Sequence, residues 1–345
     1  FQVGGIVLMP TTGKLITVPG LPTDSIKTGY RSHFDRANEV ATAGYYSVLL
    51  DDYQIRAEVT ATPRVAYQRF HFPKGADNHL LFDIGNRQGE SGAVADAFVS
   101  YTEDGRVEGW VITLPEYVKK YQPGAQVPLY FSAVLDKQPS SFGTFQGEKQ
   151  QPGARELNGV GAGVYLTYDF PEAESVTAKI GLSYTSVENA RLNLKAEAKD
   201  LSFDEAKEQA HRTWEEYLGR IRVETSKQED KVKFYTGLYH ALLGRGLAND
   251  VNGVYPKNDG SIGQLEMKDG KPVHNIYNTD AAWGAQWNLS QLWIMAYPEY
   301  ISDYISSHLQ AYEDAGWLAD GLANNRYVSG VGTNLLPTII AGAYE

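Results

Sequence analysis

The sequence predicts a protein of two parts, an antiparallel β-sandwich followed by a bundle or toroid of paired helices. Three observations carry this. Residues 1 to about 190 hold short runs of alternating apolar and polar residues broken by Gly, Pro, Asn and Asp, the pattern of many short strands. After Leu201 the alternation gives way to a helical period, and Ser202-Phe203-Asp204-Glu205 has the S-x-x-E form of a capping box. The helical runs that follow are long and separated by polar loops, as antiparallel helix pairs require. We therefore expect a β-sandwich domain over 1–190, a linker over 191–202 and a helical domain over 203–345.

In the first part GGIVLM reads as a strand. Tyr46, Val48 and Leu50 alternate with Ser47 and Leu49, and an Asp51-Asp52 turn follows. Ile55, Ala57, Val59 and Ala61 then alternate with Arg56, Glu58 and Thr60, which makes a hairpin with one buried face. Further strands are expected over 80–84, 95–101, 107–113, 129–135, 160–168 and 176–184. In the second part a helix should run from the capping box to about Ile221. Another covers about Asp230 to Leu243 and should bury Val232, Tyr235, Leu238, Tyr239 and Leu242. A loop rich in glycine spans Ala248 to Thr279. Two more helices meet at Pro298, whose fixed φ suits a first helical position. The second of these should bury Ile301, Tyr304, Ile305, Leu309 and Tyr312.

Composition narrows the function classes. Hydrophobic residues at 42% and charged residues at 21% are ordinary for a globular chain of 345 residues. A net charge of −11 argues against nucleic acid or an anionic membrane surface as partner. No apolar run reaches the length of a membrane span. The absence of cysteine excludes disulfides, thiolate zinc sites and cysteine nucleophiles. Phe1 opens inside an apparent strand and LLPTIIAGAYE stops within an apparent helix, so the sequence reads as a piece of something longer.

The usual catalytic motifs are missing. GxSxG is absent, the seven histidines show no HxH or HExxH spacing, and the glycine clusters do not sit between a strand and a helix. His71, His240 and His308 read as framework residues. Asp250-x-Asn252-Gly253 looks like the start of a calcium loop but lacks the glutamate at its twelfth position. The informative stretch is 277–327, which contains four of the six tryptophans, Trp283, Trp287, Trp293 and Trp317. After Trp317 it gains Asp320, Asn324, Asn325 and Arg326. Indole faces beside carboxylates, amides and a guanidinium suit a sugar, which offers C–H faces and hydroxyl edges. A tryptophan-rich core with a solvated loop fits the same residues. Asp280, Glu313, Asp314 and Asp320 are the carboxylates near the cluster, and Asp320 is the strongest candidate acid.

Several stretches carry a family resemblance. They are LMPTTG, the run from SHFDRANEVATAGYYSVLL through RAEVTATPRVAYQRFHFP, GLSYTSVENARLNL, FYTGLYHALL, DVNGVY, YPEYISDYISSHLQAYEDAGWL and SGVGTNLLPTIIAGAY. In order and over nearly the whole chain, the sequence resembles glycoside hydrolase family 92, the bacterial, calcium-dependent, exo-acting and inverting α-mannosidases. The resemblance implies an N-terminal antiparallel β-sandwich packed on a C-terminal (α/α)6 toroid, of which 203–345 is the N-terminal part. It also implies a glycan substrate, a periplasmic or secreted location, and calcium, with ligands expected beyond Glu345. Trp283 and Trp317 are then expected as stacking platforms. Asp280, Asn288, Asn324, Asn325 and Arg326 are expected as hydroxyl partners.

The departures from the family pattern matter. The family's general acid is a glutamate shortly after a GWL segment, and counting from Gly316 places Leu322 there. Its sugar-contacting aspartate falls at Gly284 and the following arginine at Trp287. Asp320 is the expected substitute acid, and a non-catalytic glycan-binding protein, or a glycosidase for a different sugar, is the alternative.

Overall fold

A computed structural model describes residues 5–20, 28–86, 92–244, 246–323, 325–328 and 334–344. The chain divides into two compact units, a β unit of residues 4–113 and 128–210 and a helical unit that includes 114–127 and 211–345.

The strands of the β unit are β1 (Val7–Thr12), β2 (Val40–Thr42), β3 (Tyr45–Leu50), β4 (Ile55–Ala61), β5 (Val65–Phe72), β6 (Gly75–Asp83) and β7 (Ala93–Tyr101). They continue with β8 (Val107–Leu114), β9 (Val127–Leu135), β10 (Ser141–Gln146), β11 (Lys149–Pro152), β12 (Glu156–Asn158), β13 (Ala162–Phe170) and β14 (Glu174–Ser183). One sheet runs β1-β6-β13-β10-β11 and the other β12-β7-β8-β9-β14-β5-β4-β3-β2. Their inner faces meet through aromatic pairs. Phe82 of β6 stacks on Phe131 of β9 at 6.4 Å, Phe72 of β5 lies 6.0 Å from Phe170 of β13, and Tyr101 of β7 lies 4.8 Å from Phe142 of β10. This is the two-sheet sandwich that period-two alternation implies.

Helix α1 (Glu116–Tyr121) interrupts the strands between β8 and β9. Helices α2 (Val187–Ala198) and α3 (Phe203–Leu218) follow β14. Most of 191–202, expected to be a linker, is therefore helical. Ser186 caps α2, its hydroxyl accepting from the Asn189 N–H at 3.0 Å. The helix escapes a periodicity search because its buried positions are Ala190, Asn193, Leu194 and Ala198, only one of them large and apolar. The capping box of α3 is formed as expected. The Ser202 N–H donates to Glu205 Oε2 at 2.8 Å and the Glu205 N–H to Ser202 Oγ at 3.3 Å.

The expected hairpin forms as β3 and β4, in register from Tyr46 opposite Val59 to Leu50 opposite Ile55. Its polar face is nevertheless closed, with Glu58 and Thr60 only 6% and 3% exposed. The cause is tertiary. Leu194, Ala198, Phe203 and Ala206 from α2 and α3 cover Val65 and Tyr67 on that side of the large sheet, and Lys207 lies 3.6 Å over the Tyr45 ring. Glu58 is compensated there by Arg69 Nε at 2.7 Å, His71 Nε2 at 2.5 Å and the Tyr45 hydroxyl at 2.7 Å. Burial raises its carboxyl, and these donors outweigh burial to hold it down at about 2.

The helical unit adds α4 (Gln228–Leu242), α5 (Ala282–Gln286), α6 (Leu289–Ala296), α7 (Pro298–Ala315) and α8 (Leu336–Tyr344). Its short strands are β15 (Val254–Pro256), β16 (Ile262–Gln264), β17 (Met267–Lys268), β18 (Lys271–Pro272), β19 (Asp280–Ala281), β20 (Gly321–Ala323) and β21 (Arg326–Val328). Pro298 stands at the first turn of α7 as expected, and Gly316 ends the helix with φ +80°. The core joins Trp293, Tyr297, Ile301 and Tyr304 to Leu238, Ala285, Leu336 and Ile339.

Two stripes read from the sequence hold in part. In α4, Tyr235, Leu238 and Leu242 face the core as expected and Phe234 joins them, while Val232 is 56% exposed. In α7, Leu309 and Tyr312 are 43% and 49% exposed, while Ile301, Tyr304, His308 and Ala311 are buried. Small side chains decide the second case. Ser307 and Ala311 let other backbone segments approach α7, and a stripe chosen by hydrophobic size alone passes them over.

Candidate functional site

The site is organised by the segment that leads into α5. Residues 276–278 are bound along both edges. The Tyr277 N–H donates to Ser307 Oγ of α7 at 3.0 Å, the Ile276 N–H to Asn249 Oδ1 at 2.8 Å, and the Asn278 N–H to Gly246 O at 2.9 Å. This segment continues into β19, which pairs with β20, and β20 pairs with β21, so that Asp280 stands opposite Leu322 and Leu322 opposite Tyr327. The Ala282 N–H donates to the Asp320 carbonyl at 2.7 Å, which ties the start of α5 to the candidate acid's backbone.

The β20–β21 turn is set by Asn325 at φ +58°, a left-handed conformation that asparagine tolerates. The Asn325 N–H donates to Asn278 Oδ1 at 2.6 Å. Asp320 and Asn325 are 7% and 9% exposed. Arg326, 7% exposed, turns inward. Its Nε and Nη2 donate to Gln126 O and its Nη1 to Asn258 O at 3.2 Å. Burial lowers its pKa, with the charge of Asp259 opposing. Gly260, at φ +94°, allows this seat, since a Cβ there would lie 2.6 Å from the guanidinium.

The sequence-predicted residues therefore separate into three groups. Asp320, Asn325 and Arg326 are gathered on one hairpin, and the hydrogen bonds of Arg326 go to backbone carbonyls of the framework. Trp317 is 51% exposed with its ring 3.9 Å from that of Tyr327. Trp283, 44% exposed, and Asn288, an exposed N-cap of α6, make no side-chain hydrogen bond or ring contact among the described residues. Asn324 and the side chain of Asp280 lie outside the described residues. Of the four clustered tryptophans only Trp293 is core, and Trp287 is 76% exposed. Asp314 is tied to the Tyr255 hydroxyl at 2.8 Å and Lys257 Nζ at 3.0 Å.

Leu322, at the position where the resemblance expects the proton donor, packs with Ala311, Ala319 and Tyr327. Among the described residues no three His, Asp or Glu side chains converge in a way that could hold a metal ion. They do not by themselves form the calcium site that the resemblance implies.

Sequence reading missed a second feature of the same unit. Thr213, Trp214, Tyr217, Leu242, Gly244, Tyr277, Tyr297 and Tyr300 line a cleft of about 260 Å³. The available signal was aromatic residues three apart on one helical face, Trp214 with Tyr217 and Tyr297 with Tyr300.

Comparison with known proteins now places the chain. The glycosyl hydrolase family 92 N-terminal domain matches residues 2–183, and the family's catalytic domain matches residues 189–345. The chain belongs to glycosyl hydrolase family 92. A family GH92 α-mannosidase from Bacteroides thetaiotaomicron, solved with mannoimidazole, is 24% identical with a TM-score of 0.84, over 94% of this chain and 42% of that one. An inverting GH92 mannosidase from the same organism is 20% identical with a TM-score of 0.77, over 98% of this chain and 42% of that one. The GH92 glycosyl hydrolase ccman5 is 24% identical with a TM-score of 0.79, over 99% of this chain and 46% of that one. These likenesses show a shared fold, and the chain spans less than half the length of each. Comparison with curated proteins gives no match.

Proposed function

We propose that the whole protein is an exo-acting α-mannosidase that removes terminal mannose from glycans with inversion, outside the bacterial cytoplasm. The observation that carries this reading is the match of the family's catalytic domain to 189–345. The shared fold with α-mannosidases at TM-scores of 0.84 and 0.77 supports it.

Inversion requires a proton donor to the leaving oxygen and a base that activates water on the opposite face, about 6.5–9.5 Å apart. We assign the donor to Asp320, next to the β20 position that Leu322 fills and joined through its carbonyl to α5. Trp317 and Trp283 offer exposed indole faces for the sugar's C–H surface. Asp280, Asn288, Asn324 and Asn325 supply hydroxyl partners, and Arg326 acts by holding the hairpin rather than by touching sugar. Calcium is the expected cofactor.

A second reading, a glycan-binding protein without catalysis, is favoured by one observation, the burial of Leu322 at 4% exposure where an acid is expected. Hydrolysis of mannobiose by the full-length protein, abolished by EDTA and restored by calcium, supports the enzyme. Mannobiose binding without hydrolysis supports the second reading. An Asp320→Asn variant should lose at least about 100-fold in kcat, as loss of a general acid implies, and unchanged activity overturns the assignment.

A further inference from the structure

We propose that the excursion of residues 114–127 is a clamp that positions the candidate acid, an assignment that rests on the glycosidase reading and on Asp320 as donor. Although inserted between β8 and β9, this stretch belongs to the helical unit. Its helix α1 buries Val118 alone, which is little apolar anchorage for an excursion of this length. What it brings to the unit is polar. The Gln126 carbonyl accepts from Arg326 Nε and Nη2, and Gln122 Nε2 donates to Asn258 O at 2.9 Å.

Three segments meet on the one guanidinium. Asn258 O accepts from Arg326 Nη1 at 3.2 Å as well as from Gln122. Asn258 lies in the turn between β15 and β16, which the Lys257 N–H closes on Ser261 O at 2.8 Å and the Gly260 N–H on Lys257 O at 3.0 Å. Among the described residues no hydrogen bond of Arg326 goes to a carboxylate. Burying a guanidinium against neutral carbonyls is costly. Its planar fork, however, fixes the angle between two carbonyls as a flexible ammonium does not. The glycine at 260 leaves no slack in this seat, because a Cβ there would lie 2.6 Å from both Nη atoms.

The hairpin needs such a hold. Strands β20 and β21 have three residues each, and a two-stranded hairpin of that length is not stable alone. Its open end is tied by the Ala282 N–H to Asp320 O at 2.7 Å. Its turn end is tied by the Asn325 N–H to Asn278 Oδ1 at 2.6 Å and by Arg326 to the clamp. Held at both ends, β20 cannot swing, and Asp320 directly before it keeps its place. Arg326, Gln122 and Gly260 are therefore positioning residues. A shift of about 1 Å at a reacting group can cost roughly 100-fold in rate.

The test uses the full-length protein and two substrates. The leaving oxygen of α-mannobiose needs a proton from the donor, whereas the fluoride of α-mannosyl fluoride departs with little help from an acid. Arg326→Lys keeps the charge and loses the fork. Gly260→Ala drives a Cβ against the guanidinium, and Gly270→Ala, at φ +76° with nothing within 4 Å, imposes similar backbone strain away from it. Arg326→Lys and Gly260→Ala should each lower kcat for mannobiose about tenfold while kcat for the fluoride stays within about twofold. Gly270→Ala should change neither, and Asp320→Asn should lower the same ratio further. An equal fall for both substrates, or an unchanged ratio, in both clamp variants overturns the clamp alone if Asp320→Asn still lowers the ratio. An unchanged ratio in Asp320→Asn overturns the acid assignment and the clamp with it. Wild-type protein that hydrolyses neither substrate overturns the glycosidase reading and both assignments.

Discussion

Glu58 in the β unit and Arg326 and His308 in the helical unit are buried in opposite ways. In the β unit Glu58 lies under α2 and α3 but meets Arg69, His71 and the Tyr45 hydroxyl, and Arg69 also reaches Asp204 at 3.1 Å. Charge meets charge there, and ionisation is favoured. In the helical unit Arg326 is buried against neutral carbonyls. His308 is fully buried in α7, with neither ring nitrogen hydrogen-bonded among the described residues. Burial alone holds its pKa down at about 3. Stability in the first unit therefore depends on a carboxylate staying charged, and in the second on an imidazole staying neutral.

The strongest challenge to this contrast is Arg326→Met. It takes both guanidinium donors from the Gln126 carbonyl, while Asn258 O keeps Gln122 Nε2 at 2.9 Å, and should cost about 2–3 kcal/mol, read as a lower urea midpoint. A loss below about 1 kcal/mol means that the dipoles do not hold the hairpin. Glu58→Gln comes next, at roughly 2 kcal/mol, because it leaves Arg69 with Asp204 as its one remaining carboxylate. It should also remove an acid limb. The Glu58 carboxyl is depressed from 4.5 to about 2, so its contribution is complete above pH 4.5 and is lost as pH falls toward 2.

His308→Leu sharpens the comparison through pH. The folded imidazole is depressed from 6.5 to about 3, so wild-type stability is complete above pH 6.5 and declines as pH falls through that value. The variant should lack this decline and gain roughly 1.5–2 kcal/mol over wild type at pH 5 relative to pH 8. Hydrogen exchange resolved by segment should show the helical unit opening at a higher pH than the β unit, and the reverse order would break the contrast. Trp317→Ala should be the mildest change, below about 0.5 kcal/mol in stability because the ring is half exposed. It should still weaken mannobiose binding in calorimetry.

Much of the fold was legible because it follows from local rules. The β3–β4 hairpin, the Ser202–Glu205 box and Pro298 at the start of α7 each rest on residues within a few positions of one another. Helix α2 was not legible, since its buried face is mostly small or polar residues. The candidate site was only partly legible. Asp320, Asn325 and Arg326 do share one hairpin, but the direction of Arg326 depends on Gln126, 200 positions away. The aromatic cleft joins residues from 213 to 300 through ring packing that no window of sequence displays.

By itself the sequence determined the family and the order of sandwich and helices. These are properties of neighbouring residues and of alternation with a fixed spacing. Only the tertiary structure decided which polar groups are covered, which stripe of α7 faces inward, and that Leu322 is core while Trp283 and Trp317 remain exposed. Burial is a property of what packs on a residue from elsewhere in the chain, and it is burial that fixes the charge state of Glu58, Arg326 and His308.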